Sequence, residues 1–258
     1  MSVALITGGA RRLGRAMALY LAGRGYDVAI HYAGSEAEAR QTAAEARALG
    51  VAAACFQADL LDPDATAALV PQVAQAMGPV TVLVNNASIF EYDNIRSATM
   101  ESWDRHFGSN LRAPFQLLQA LAAQAPAPLT DENGEPEAQA LAINMVDQRV
   151  LKPTPEFMTY SLAKAGLWSL TRTAAQALAP AIRVNAIGPG PTLQGARQSP
   201  RHFARQRAAT ILKRGADAQG ITQALGYFLD ARAVTGQLIC VDGGQHLAWQ
   251  TPDVLGPE

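Results

Sequence analysis

VALITGGARRLGRAMALYLAGRG, residues Val3 to Gly25, begins with an apolar run too short for a helix and continues into a stretch of helical period. Between the two lies TGGARRLG, Thr7 to Gly14, a turn rich in small residues. A turn of this kind, leaving a strand and opening a helix, lets backbone N–H groups and the helix N-terminus approach a pyrophosphate. The stretch therefore reads as the first strand, turn and helix of a dinucleotide-binding unit.

Outward from it the same alternation repeats, as YDVAIHY, SEAEARQTAAEARALG, VAAACFQAD, PDATAALVPQVAQAMG and VTVLVNNA. Each apolar run is too short for a helix and each spacer too long for a hairpin, so the units are βαβ with parallel strands. Right-handed crossovers then give an α/β fold with a doubly wound parallel sheet and ligands beyond the C-terminal strand ends. Further on, Pro126 to Glu137 reads as a surface loop before the strand AQALAINMV. A long helix is expected from Thr159 to Ala179, then the strand IRVNAI and the turn GPGP. A substrate-side helical insertion near 191–214 precedes another helix and the strand QLICVDGG.

The 258 residues show no Gly/Ser linker and no shift of composition, which favours one domain over 1–258. The formal net charge is −1 with no run of basic residues, so a small-molecule ligand is expected rather than nucleic acid or an anionic membrane. Cys55 and Cys240 lie in separate apolar runs, away from a second sulfur or a His at metal spacing, and read as small hydrophobes; no metal is expected. Met1 leads straight into the first strand, and no apolar run approaches the roughly 20 residues of a membrane span. A soluble cytoplasmic protein is the expectation.

The stretch NMVDQRVLKPTPEFMTYSLAK, Asn144 to Lys164, carries the chemistry. Tyr160 and Lys164 stand four apart on the expected helix and share a face. A free tyrosine titrates near pH 10, so it is a poor acid or base at neutral pH unless a positive charge stabilises its phenolate; Lys164 can supply one. Asp147 ends an apolar strand thirteen residues before Tyr160. It is either a strand-end cap or a carboxyl group able to hold a proton.

TGGARRLG, Asp59 in QADL, NNAS from Asn85, Asn110, Tyr160 with Lys164, RVNAIGPG and VTGQLICVDGG, in this order over nearly the whole chain, resemble the short-chain dehydrogenase/reductase family. The resemblance implies a Rossmann fold and an NADP cofactor. It places Thr7, Gly8, Arg11, Arg12, Leu13 and Gly14 at the phosphates, with His31, Tyr32, Ser35, Asp59 and Leu60 toward the adenosine. Asn86, Ala87, Ser88, Pro189 and Gly190 would lie along the cofactor, Lys164 would bond the nicotinamide ribose beside Tyr160, and Asn110 would hold a water linking the lysine to solvent.

Most members carry Gly where this chain has Arg12 and Ser where it has Asp147. These two residues, with HYAGSEAEA from His31, NNASIF ending at Phe90, and NMVD, are similar to the pteridine reductase branch. The resemblance makes Arg12, Ser88, Phe90, Asp147 and Tyr160 substrate contacts. A flat pterin could stack on Phe90, and a carboxyl at Asp147 could donate a proton where a serine could only polarise. The expected activity is NADPH-dependent reduction of a pterin, dihydropterin or dihydrofolate, with Asp147, Tyr160, Lys164 and Asn110 catalytic. A carbonyl or 3-oxoacyl reductase and a non-catalytic NADP-binding regulator are the alternatives.

NADPH is expected over NADH because the second strand ends in HYAGS, without an Asp or Glu for a free ribose hydroxyl. Gly34 replaces the arginine typical of the branch, leaving Arg11 and Ser35 as contacts for the extra phosphate. A homotetramer is expected because the helix from Thr159 shows apolar residues on more than one face.

Overall fold

The computed structural model describes residues 2–195 and 198–249. Val3–Ile6 forms β1 and Arg12–Gly23 forms α1, joined by the small-residue turn. The alternation continues through β2 (Asp27–Tyr32), α2 (Glu36–Ala48), β3 (Ala53–Gln57), α3 (Pro63–Met77) and β4 (Val80–Asn85). Next come α4 (Met100–Phe107), a π-helical turn at Gly108–Arg112, and α5 (Ala113–Gln124). Start signals lie in the sequence: Asp62 accepts the Asp64 and Ala65 N–H groups ahead of Pro63, and Thr99 and Ser102 form a reciprocal capping box at α4.

Pro126 to Glu137 departs from the loop expected there. Leu129–Thr130 (β5) and Pro136–Glu137 (β6) pair as a short antiparallel hairpin. The cause is local: the Asp131 carboxylate accepts the N–H groups of Asn133 and Glu135, and Gly134 takes φ +80° to close the turn. The chain then forms β7 (Ala140–Met145), α6 (Met158–Leu178), β8 (Ile182–Pro189), α7 (Pro200–Ala208), α8 (Ala218–Asp230) and β9 (Leu238–Val241). The long helix thus falls within a residue of its expected bounds.

All seven long strands lie parallel in the order β3-β2-β1-β4-β7-β8-β9. Both faces are covered, which is why these strands read as continuous apolar runs rather than alternating ones. Ile6, Ile30, Met17, Leu21 and Phe228 fill one side, under α1 and α8. Leu5, Leu83, Leu69, Leu117 and Leu121 fill the other, under α3 and α5. Between β1 and β4 the winding direction reverses, and a doubly wound sheet opens a crevice there at its C-terminal edge.

The insertion after β8 holds α7, whose Ser199 cap accepts the His202 N–H. The Arg207 guanidinium donates to the carbonyls of Pro191, Gly215 and Ala216, tying the two ends of the segment together. Cys55 and Cys240 are half-buried free thiols. Among the described residues no His, Cys, Asp and Glu cluster could hold a metal, and no helix is long and apolar enough to cross a membrane.

Candidate active site

The crevice is built by tying β1 to β4. Thr7 is buried, and its hydroxyl accepts the N–H groups of Asn86 (2.9 Å) and Ala87 (3.0 Å) while donating to the Val84 carbonyl (3.2 Å). The Asn86 amide donates to the carbonyls of Thr7 and Gly8. Two glycines are required: Gly8 has φ +60°, and a Cβ on Gly14 would lie 2.1 Å from the Gly8 oxygen. Arg11 occupies the N-cap of α1 without a side-chain cap bond, and the first turn contains no acidic residue. Uncapped N–H groups facing a close-approach turn fit a pyrophosphate.

His31, placed toward the adenosine by the resemblance, lies directly beneath the turn. Its ring is buried, accepts the Gly8 N–H at Nδ1 (3.0 Å) and reaches the Ala58 carbonyl from Nε2 (3.0 Å). Those partners place the proton on Nε2, and burial lowers the pKa, which keeps the ring neutral. The imidazole is a support under the turn, with both nitrogens spent on protein partners. Leu60 is buried in the core on one side of the sheet, Leu13 packs against the core on the other, and Asp59 closes a turn by accepting the Leu61 N–H (2.9 Å). Arg11 reaches Glu38 across 3.4 Å of exposed surface, and Ser35 sits at the N-cap of α2 with no cap bond from its hydroxyl.

At the other side of the crevice α6 presents Tyr160, Ala163, Lys164, Leu167 and Thr171 on its buried stripe. The Tyr160 hydroxyl donates to Asp147 Oδ2 (3.0 Å), and Asp147 Oδ1 accepts the Arg149 N–H (2.9 Å). Asp147 is thus a cap and a partner of the tyrosine at once. Lys164 Nζ donates to the Met145 carbonyl (2.7 Å) and lies 5.8 Å from the Tyr160 ring centre.

This geometry corrects the tuning expected from the sequence. Tyr160 is pushed well above its ordinary value by burial and by the Asp147 carboxylate it bonds. Lys164 is pushed down to about 8 by burial, with Asp147 opposing. Burial also raises Asp147, against the Arg149 N–H and the nearby cations. The lysine does not lower the tyrosine because the carboxylate is in direct contact with the hydroxyl and the ammonium is spent on a carbonyl. Burial and direct contact thus favour the protonated forms of both Tyr160 and Asp147.

Asn110 lies in the π-helical turn, where its amide donates to the Ile89 carbonyl (2.8 Å) and accepts the Ile89 N–H (3.0 Å). Its side chain thereby fixes the segment carrying Ser88 and Phe90. The Ser88 hydroxyl points to the Ile89 carbonyl at 3.4 Å. Phe90 is 42% exposed, stacks on Phe157 at 4.3 Å and meets Tyr160 edge-on at 4.6 Å. The Arg149 guanidinium lies over Phe157 at 4.9 Å. Arg12, at φ +54°, donates to the carbonyls of Gln194 (2.9 Å) and Leu193 (3.1 Å), so it latches the start of the insertion to the turn. Gly190 packs against Asp242, and Pro189 ends β8 at the same edge.

Phe157, Arg149, Asp93 and His106 escaped the sequence reading. Phe157 enters the site through a left-handed backbone (φ +56°) just before α6, with its N–H on the Asp93 carbonyl (2.8 Å). Asp93, Thr159 and His106 form a buried relay: Asp93 accepts from the Thr159 hydroxyl and N–H, and His106 links Thr159 (2.6 Å) to the Glu91 N–H (3.1 Å). No spacing in the sequence announces these contacts, because they join a loop to a helix start 66 residues later.

Residues 8–246 match the family model described as enoyl-(acyl carrier protein) reductase. FolM alternative dihydrofolate reductase 1 from Brucella canis, solved with NADP, is 43% identical with a TM-score of 0.90, over 98% of this chain and 97% of that one. A short chain dehydrogenase from Burkholderia cenocepacia, also solved with NADP, is 30% identical with a TM-score of 0.85, over 95% of this chain and 97% of the other. The 3-oxoacyl-[acyl-carrier-protein] reductase FabG of Staphylococcus aureus is 31% identical over 250 residues, 95% of this chain and 98% of that protein.

Proposed function

The chain belongs to the short-chain dehydrogenase/reductase family, and from that premise we propose that it is an NADPH-dependent reductase of a pterin ring, acting on a dihydropterin or dihydrofolate. The Tyr160–Asp147 hydrogen bond carries this reading. The Brucella FolM protein, 43% identical and solved with NADP, supports it. The turn from Thr7 to Gly14 would hold NADPH, which when bound would supply the hydride for a ring C=N carbon. The nitrogen left electron-rich then needs a proton. Tyr160 and Asp147, both biased toward their protonated forms, hold that proton at the corner of the crevice. Phe90 presents an exposed ring for stacking, and Lys164 places a positive charge beneath the tyrosine.

A second reading, reduction of a 3-oxoacyl thioester, draws on the FabG relative. A panel of dihydropterin, dihydrofolate, a 3-oxoacyl thioester and a simple ketone, followed by NADPH absorbance, separates the two. Turnover of the pterins is expected, and turnover of thioester alone would replace the proposal.

NADPH should exceed NADH in kcat/KM by at least tenfold, with Arg11 and the Ser35 hydroxyl taking the extra phosphate. Arg11 exchanges an exposed ion pair with Glu38 for that contact, a small cost because such pairs contribute about 0.2–1 kcal/mol. Equal use of NADH would contradict the assignment.

The pH profile of reduction should fall on its alkaline side near pH 8, where Lys164 loses its proton. The sign follows from the reaction: negative charge develops on the substrate, so the ammonium form is the active one. Since Asp147 is the group that raises Lys164, Asp147→Asn should move the alkaline limb to lower pH. A limb that stays in place would remove Lys164 as its origin.

The assembly is proposed as a homotetramer. Trp103, Phe115 and Leu162 on α4, α5 and α6 are exposed, and Phe115 lines a hollow whose apolar residues Leu61, Phe107, Leu111 and Leu170 are bordered by Asp104, Arg105 and Arg112. Light scattering at micromolar concentration should give about four times the chain mass. A monomer would contradict it.

A further inference from the structure

Residues 191–214 carry Arg197, Arg201, Arg205, Arg207, Lys213 and Arg214 and no Asp or Glu, in a chain whose formal net charge is −1. The rest of the chain is therefore acidic on balance, and positive charge is concentrated on the segment that follows β8. The structure sorts these cations. Arg207 is committed to three backbone carbonyls, and Arg214 lies 3.5 Å from Asp217. Arg201, Arg205 and Lys213 are exposed. Arg201 and Arg205 stand four apart in α7 and so share a face of that helix.

The segment is fastened to the crevice. The Gln198 side chain donates to Gln206 of α7 (3.0 Å), and its carbonyl accepts from the Gln194 amide (2.6 Å). Arg12, in the turn that borders the crevice, holds the carbonyls of Leu193 and Gln194. Leu212 N–H donates to the Gly243 carbonyl beyond β9 (2.9 Å). The basic helix is thus anchored at the C-terminal sheet edge, where Asp147 and Tyr160 lie, rather than on a remote surface.

Resting on the pterin reading above, we infer that the substrate's ring carries a tail with more than one carboxylate, and that Arg201, Arg205 and Lys213 receive it where it leaves the crevice. The ring chemistry needs the buried corner of Asp147 and Tyr160; the tail needs only exposed cations along the way out. Exposed ion pairs are individually weak and screened by salt, so the effect builds with the number of carboxylates. A small heterocycle with an oligo-glutamyl tail meets both halves of the site. An acidic carrier protein would engage the same cations without using the stacking face of Phe90.

The test compares kcat/KM for a tail-less dihydropterin, dihydrofolate with one glutamate and dihydrofolate with three. Efficiency should rise about threefold or more with each lengthening at low salt, and the gain should vanish at roughly 0.5 M salt. In the double variant R201E/R205E the ratio of triglutamyl to tail-less efficiency should fall at least about tenfold, and R201K/R205K should keep most of it. NADPH affinity, measured by fluorescence titration, should change less than about twofold in both variants.

Tail-independent efficiency in the wild type, or a ratio unmoved by charge reversal, would overturn the inference while leaving pterin reduction intact. A parallel loss of NADPH affinity would overturn it too, by assigning the cations to the cofactor's phosphates. If no pterin is reduced and the double variant instead impairs a carrier-protein thioester, the reading beneath it fails as well.

Discussion

Asp147→Ser should lower kcat for dihydropterin reduction by about 10² or more, the loss expected when a positioned proton donor is removed. The wild-type carboxyl accepts the Tyr160 hydroxyl and the Arg149 N–H, and burial raises its pKa, which favours the protonated form of a group in direct contact with the phenol. Serine can accept a hydrogen bond there but cannot store a proton near neutral pH. The carboxylate is also one reason Tyr160 titrates so high, so its removal relaxes the phenol toward its ordinary value. A simple ketone, which needs only a polarised and protonated oxygen, should therefore lose little or gain. NADPH affinity should hold, since Asp147 follows β7, which β4 separates from β1 and its Thr7–Gly14 turn. A variant with full pterin activity would remove Asp147 from the chemistry.

Tyr160→Phe should cost about 10²–10⁴ in turnover on every substrate, pterin or ketone, because on the proposed reading its hydroxyl serves a nitrogen and a carbonyl oxygen alike. The ring would keep its edge-on contact with Phe90 and its place on the buried stripe of α6, so folding and NADPH binding should survive. The contrast between the two variants is informative. Loss confined to pterins in one and general in the other separates the carboxyl's part from the hydroxyl's. Equal, small losses in both would point to a proton delivered by water.

Much of the fold is legible in the chain. VALIT followed by TGGARRLG and a helical period marks the first strand, turn and helix, and both faces of the sheet being covered makes the other strands of the main sheet mostly apolar rather than alternating. The Pro126–Glu137 stretch reads as loop because two-residue strands leave no periodicity; only the Asp131 and Gly134 turn chemistry betrays the hairpin. At the site, Tyr160 and Asp147 are found by spacing and chemistry, and they do meet. Their mutual tuning could not be read. Whether a lysine one turn away or a carboxylate thirteen residues back controls a phenol depends on which touches the oxygen, and that is set by the turn after β7. His31 and Asn110 show the same limit: motif position marks them, but their partners Gly8, Ala58 and Ile89 could not be read from it. Phe157 and Arg149 carry no motif at all.

The central claim is that hydride reaches a pterin ring carbon, and isotope transfer reads that event directly. NADPH carrying deuterium at the transferred position of the nicotinamide should be incubated with the protein and a dihydropterin, and the product analysed by mass spectrometry. The account predicts a tetrahydropterin heavier by one mass unit, with the deuterium on the ring carbon adjacent to nitrogen. Unlabelled or unreduced pterin, alongside label appearing in the alcohol formed from a 3-oxoacyl thioester, would contradict it.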